Sequence, residues 1–328
     1  MCFLSWSQRA AYQFQFHASL TSDLILTAFL LIALTNSGRS DDNLTPTNTV
    51  KQAAIDTARS LGGDAAFTHN FGDAFPEWRL NLSRTRVTND QLKALILPIC
   101  GNTIRFVSLQ KTDISDEVVA VLDCCKPRGV IFNGVELKNP QFSGGLTGLD
   151  VSFSNVTSSA INRLIKVHRN LRSIDISGIA IDAKAFDGVS EAALSSLSMR
   201  RTAPNLTVAS QIARLPLAAL DLSDAAVDDD FIVEVSKPTK STCNLSKSLK
   251  RLDLTGTRIT DRSLETISAF QGITELNLSK TSLTDGKRVR MLIASLKNLQ
   301  EIDLNDTSLS AATISDLERA WPELVIRK

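Results

Sequence analysis

The chain has 328 residues, 43% hydrophobic and 22% charged, with 36 basic against 35 acidic side chains, an ordinary globular composition with enough apolar material for a large core. A formal net charge of +1 gives no overall field to attract nucleic acid or an acidic membrane surface. Three histidines (His17, His69 and His168) and 5% aromatics leave little from which to build a multi-imidazole site or a ring-lined pocket for sugars or nucleobases.

The first element is the unbroken apolar run Leu24 to Leu34. Its length suits the central region of a secretory signal and falls well short of the roughly 20 residues that span a bilayer. Residues 1–40 are therefore expected to be a signal peptide or signal anchor, and 41–50 a polar linker. Asp23 directly before the run, and a long leading region in which Arg9 is the clear positive charge, fit less well. A short buried helix is the alternative. Export places the chain in the periplasm, on the cell surface or in the medium, with membrane contact only through an uncleaved N-terminal segment. It also puts Cys100, Cys124, Cys125 and Cys243 in an oxidising space. One bridge between Cys100 and the vicinal pair is feasible, because they fall at similar positions in successive units. Buried free thiols are the other reading.

Residues 51–78 form a cap and 79–328 a repeat array. The clearest unit is Leu249 to Asp261, LKRLDLTGTRITD; it recurs as Ile273 to Asp285, ITELNLSKTSLTD, and from Leu299 to Leu309, LQEIDLNDTSL. The template continues backwards through Leu220-Asp221-Leu222, Leu197-Ser198-Met199, Ile174-Asp175-Ile176, Leu149-Asp150-Val151, Val107-Ser108-Leu109 and Leu80-Asn81-Leu82. Nine units result, and Val130-Ile131-Phe132 makes an irregular tenth. A period of about 24 to 26 residues lies in the range of leucine-rich repeats. Alternating apolar residues such as Leu252 and Leu254 point one side of a short strand inward. Ile259 returns to the same core, and Thr260-Asp261 or Thr284-Asp285 is placed to cap a following helix. Leu264 and Ile267 give that helix its buried stripe. One such unit cannot close a core, but stacked units share one. The prediction is an α/β solenoid with parallel inner strands, outer helices and a short helical N-terminal cap. Leu324-Val325-Ile326 reads as the last strand.

A hydroxyl column runs through the array: Thr85, Thr112, Ser154, Thr202, Thr257, Thr281 and Thr307, broken at Ile179 and Ala225. It falls where the chain leaves each strand, so its expected role is to hydrogen-bond backbone groups of the turn.

The phrase L-x-x-L-x-L-x-x-T-x-[IL]-T-D resembles the threonine-turn leucine-rich repeats of secreted or anchored proteins from planctomycete-type bacteria. More distantly it is similar to the cysteine-containing repeats of F-box proteins. Ala53 to Gly63, AAIDTARSLGG, resembles the helix ending in Leu-Gly-Gly that precedes the first repeat in the bacterial group. The resemblance runs from about Ala53 onward. It implies the solenoid fold and a role in protein interaction, and it brings no catalytic motif.

The positions between paired apolar residues face the concave side: Asn81, Ser108, Asp150, Asp175, Ser198, Asp221, Asp253, Asn277 and Asp303. With Arg200 one step outward, Asp150, Asp175, Asp221, Asp253, Asn277 and Asp303 are the candidate binding residues. Strands about 4.8 Å apart bring these carboxylates close enough to repel, which a basic partner would relieve; a merely hydrated stripe is the alternative. Asp228, Asp229 and Asp230 beside Asp221 and Asp224 raise the thought of calcium, without an EF-hand pattern to support it. The chain carries no G-x-S-x-G, phosphate-loop, dinucleotide or H-E-x-x-H motif. His168, on an expected helix Ala160 to Asn170, is expected to be exposed on the convex side. The sequence thus points to a non-enzymatic binder of a protein partner, with no cofactor, metal or nucleic acid. A structural envelope scaffold and an F-box-like substrate-recognition protein are the alternatives.

Overall fold

A computed structural model describes residues 48–68, 77–189, 192–238 and 245–328. The expected signal and most of the linker lie outside the described residues, as do His17, His69 and Cys243. Chain order runs helix α1 (Asn48–Ser60), β1 (Asp64–Thr68), β2 (Glu77–Asn81), α2 (Asn89–Ile96), β3 (Ile104–Ser108), α3 (Asp116–Asp123), β4 (Gly129–Ile131), β5 (Gly148–Asp150) and α4 (Ser158–Val167). It continues with β6 (Ser173–Asp175), β7 (Ser196–Ser198), α5 (Leu206–Ile212), β8 (Ala219–Asp221), α6 (Asp229–Ser236), α7 (Leu245–Ser248), β9 (Arg251–Asp253) and α8 (Ser263–Ile267). Last come β10 (Glu275–Asn277), α9 (Gly286–Ser295), β11 (Glu301–Asp303), α10 (Ala311–Ala320) and β12 (Val325–Arg327).

All twelve strands lie in one sheet in sequence order. From β2 to β12 every pairing is parallel, which requires a crossover behind the sheet at each step. β1, which lies within the expected cap 51–78, runs antiparallel to β2, Ala65 opposite Leu80. The irregular tenth unit is a regular strand, β4, whose Val130 sits between Val107 and Leu149.

Register explains the core. Leu80, Val107, Val130, Leu149, Ile174, Leu197, Leu220, Leu252, Leu276 and Ile302 pair in one continuous row, and each is buried. Two residues on, Leu254, Leu278 and Leu304 form a second buried row. Each such side chain contributes about 1.5–3 kcal/mol, and no single unit keeps it from water without its neighbours. Ile259, Leu264 and Ile267 close the same core from the turn and helix, as predicted.

The hydroxyl column acts as expected. Thr85, Thr112, Ser154, Thr202, Thr257, Thr281 and Thr307 each donate to the carbonyl three residues back, at 2.5 to 2.8 Å. At the interruptions Ile179 and Ala225, the backbone N–H alone makes the equivalent bond. Just before this column lies a left-handed one: Arg84, Lys111, Phe153, Arg201, Asp224, Lys280 and Asp306, with Gly134, Gly178 and Gly256 in register. This conformation costs a non-glycine residue about 1–2 kcal/mol. It is repaid because the N–H of residues such as Phe153 and Lys280 reaches a carbonyl of the next unit, extending the ladder beyond the strands. Gly178 is required twice over, since a Cβ there would come within 2.4 Å of the Phe153 ring. In the cap, Gly62 ends α1 at φ +82°, and Gly63 is pressed against the Asn81 carbonyl, 2.4 Å from where a Cβ would stand.

Helix starts are capped by Thr88, Thr157, Asn205, Asp228, Asp285 and Ser310. Asp261 does not cap its own helix α8. It accepts from Thr284 and the Asp285 N–H of the next unit, because α8 begins only after a further turn. Cys100 and Cys124 are bridged across two consecutive units, with Cα atoms 5.4 Å apart. Cys125 is a buried thiol that donates to the Ile99 carbonyl, and burial pushes it up to about 12. No helix among the described residues is long and apolar enough to cross a membrane.

Candidate functional site

The buried rows fix what the other side of each strand presents. Asn81, Ser108, Ile131, Asp150, Asp175, Ser198, Asp221, Asp253, Asn277, Asp303 and Arg327 pair in register along the open face, opposite the buried leucines. All the candidate residues therefore share one face, with Arg200 beside them, its Nε 3.9 Å from Asp221.

Each of these side chains has a local partner that pattern reading missed. One oxygen of Asp150, Asp175, Asp221, Asp253, Asn277 and Asp303 accepts the N–H of the residue two positions on, at 2.9 to 3.0 Å. Ser223, Thr255 and Ser279 add a hydroxyl donor at 2.6 to 2.7 Å. The small hydroxyl residues that follow the stripe thus shape the strand exit. The second oxygen of Asp150 and of Asp175 has no hydrogen-bond partner among the described residues, while that of Asp253 meets Asn277 at 3.4 Å.

Electrostatically the stripe is costly. Burial pushes the Asp150 carboxyl up to about 6; Asp175 in the next strand pushes the same way, and the bonds from Ser152 only partly offset it. Asp175 and Asp253 are also raised, first by burial, with Asp221 adding repulsion and Arg200 relieving some of it. Ionised carboxylates one strand apart without full compensation are an unfavourable arrangement.

Three face residues escaped the sequence reading. Ile131 is the one apolar member of the central row, half-buried between Ser108 and Asp150. Diagonal to it, the Phe106 ring leans over Gly129, 3.3 Å from where a Cβ would stand. Phe153 is 48% exposed. The signal was available: Val130-Ile131-Phe132 aligns with the Leu-Asp-Leu units, with isoleucine in the aspartate place.

Other candidates separate. Asp228 caps α6, Asp229 is bound by Thr260 and Ser263, and Asp230 faces Arg262. They do not gather with Asp221 and Asp224, and no metal-ligating cluster occurs among the described residues. His168 is a correction: it is 2% exposed, not on the solvent side. Helix α4 ends at Val167, and the chain turns the ring inward against Phe142, centroids 6.3 Å apart. Burial holds its imidazole below the ordinary range, with Asp123 opposing. Two shallow depressions of about 340 Å³ lie around Trp321 and around Ile314, away from the stripe.

No family model and no curated protein matches the chain. Among solved structures it is similar to the leucine-rich-repeat protein LIC12759 of Leptospira interrogans, at 14% identity and TM-score 0.49, over 76% of this chain and 59% of that one. TLR13 from a complex with ssRNA13 follows at 16% and 0.46, and the mouse RP105/MD-1 complex at 16% and 0.42, each over 76% of this chain and 38% of the other. The chain thus spans between about two fifths and three fifths of these neighbours. Parallel strands in unbroken sequence order, one shared apolar register and a helix or turn behind each make the fold an α/β leucine-rich-repeat solenoid.

Proposed function

We propose that the chain is a non-catalytic interaction module that binds a protein partner on the open, concave face of its repeats, outside the cytoplasm. The observation that carries this is the stripe Asp150, Asp175, Asp221 and Asp253, three of whose carboxyls are raised by burial and mutual repulsion. A cationic partner group would remove a cost that the free protein bears. The Leu24–Leu34 run and the Cys100–Cys124 bridge support export.

The test is affinity capture from native envelope extract with the full chain, beside a variant carrying Asp175→Lys, Asp221→Lys and Asp253→Lys. A protein retained by the wild type and lost by the folded variant is the expected result. Equal retention by both would remove the stripe from the argument. The turn-shaping bonds favour a second reading, a scaffold without a specific ligand, and that reading predicts an empty capture at moderate salt.

A further inference from the structure

The unit between β4 and β5 is short and has no helix behind it. Asn133 and its equivalent Ser152 are 19 residues apart, against 24 from Thr255 to Ser279. A strap, residues 138–147, closes the convex wall there, and its Phe142 is buried and stacks on Phe132, centroids 6.2 Å apart. From 139 to 146 no backbone–backbone hydrogen bond is made among the described residues. Side chains hold the strap instead. Asp116 of α3 accepts the N–H of Lys138 and of Asn139, and Asp123 at the end of α3 accepts that of Ser143. Arg163 of α4 donates to Asn139 and to the Pro140 carbonyl. Gly144 and Gly145 follow, both at positive φ, with open space where a Cβ would stand.

Against Phe142 stands His168, edge-on, with ring centroids 6.3 Å apart. It occupies a place that Phe270, Leu296 and Trp321 fill in later units, where the N–H three residues on donates to this residue's carbonyl. His168 is 2% exposed, and neither ring nitrogen has a hydrogen-bond partner. A neutral imidazole sits there at a cost, but an imidazolium brings a charge and two N–H donors that nothing receives. The strap carries no charged residue from 139 to 147. On and beside α4, Arg163 is engaged with the strap, Lys166 lies over Gly188, and Arg169 is exposed. Among the described residues Asp123 is the charge that acts on the ring, and it already holds Ser143. We propose that His168 is an acid-sensitive latch, whose protonation releases the strap 138–147 and opens the convex wall over Phe132 and Phe142. Two routes relieve the buried cation, and both free the strap. Water enters as Phe142 lifts away, or Asp123 turns to the ring and gives up the Ser143 N–H beside the two glycines. Burial holds the ring neutral above about 6.5, so the latch is closed there and opens as pH falls.

The test is hydrogen exchange of the full chain, read by mass spectrometry from about pH 7.5 to about pH 5 and corrected for the intrinsic pH dependence of exchange. Protection of residues 138–147, carried by the bonded amides of Lys138, Asn139 and Ser143, is expected to fall by about ten-fold or more, ahead of β4 and β5. His168→Phe, which gives this unit the ring of Phe270, keeps the strap protected across the range. His168→Gln is the second check should the larger ring not fit; it carries no charge at any of these pH values, and its protection stays level. Asp123→Asn keeps an acceptor for Ser143 but removes the charge, and moves the opening to lower pH. Constant protection in the wild type overturns the proposal, as does an equal fall in either His168 variant that folds. Loss spread evenly over all the repeats also overturns it, since that is acid unfolding of the whole fold.

Discussion

Aspartates on the two sides of the sheet have opposite electrostatics. On the helix side, Asp229 is buried yet held below the usual carboxylate range: burial pushes it up, and bonds from Ser263 and Thr260, with Arg262 nearby, more than offset this. On the open face, Asp150 is bound through one oxygen only and rises to about 6. The difference lies in donor supply. A helix start offers free N–H groups and hydroxyls from the following unit, whereas a strand interior has already given its N–H groups to the next strand. The helix-side carboxylates fasten units together, and the face-side ones make the free fold less stable than it need be.

The comparison breaks most sharply at Asp229. Asp229→Ala leaves the Thr260 N–H and the Ser263 hydroxyl without their acceptor and is expected to destabilise by about 2–4 kcal/mol. That approaches the ~2–5 kcal/mol of Leu254→Ala, the measure of a core truncation. Urea unfolding of both variants decides it, and a loss at Asp229 near zero would reduce the helix-side bonds to surface decoration. Asp150→Asn is expected to act the other way, stabilising by about 1–2 kcal/mol at neutral pH. The folded carboxyl titrates near 6 against 3.8 for the free group, so the folded state binds more protons between those values. The gain is therefore full above about pH 6 and gone below 3.8. Thermal melts across that range check the sign; a destabilised variant at pH 7 would mean that the carboxylate is needed for the turn itself. The smallest effect concerns His168, whose folded imidazole titrates below 6.5. There the unfolded state binds more protons, so this contribution is intact above about 6.5 and declines as pH falls. His168→Leu should flatten that decline, and an unchanged pH profile would contradict the burial assigned to the ring.

Much of the fold was legible because it repeats. Leu252, Leu276 and Ile302 announce one row, and Thr257, Thr281 and Thr307 announce one turn, since the same physical demand recurs at a fixed interval. What the sequence hid has no such regularity. The left-handed column admits Arg84, Phe153, Asp224 and Gly256 alike, because the ladder bond it makes uses backbone only. Asp229 meets partners 31 and 34 residues away, across a helix and a strand. His168 was misplaced because α4 stops three residues sooner than its pattern suggests. The stripe was found, but its bonds to Ser152, Ser223 and Thr255 were not. They depend on an exit geometry that hydropathy does not record.

Those bonds have a consequence for how such a surface changes over generations. Asn81 and Asn277 make the same contact to the residue two positions on as the aspartates do, through the same oxygen. The outer atom of each side chain is then free to be oxygen or amide nitrogen, and the turn does not register the exchange. A single nucleotide change converts one residue into the other. The charge pattern of the face can therefore be rewritten unit by unit while the architecture beneath it stays fixed.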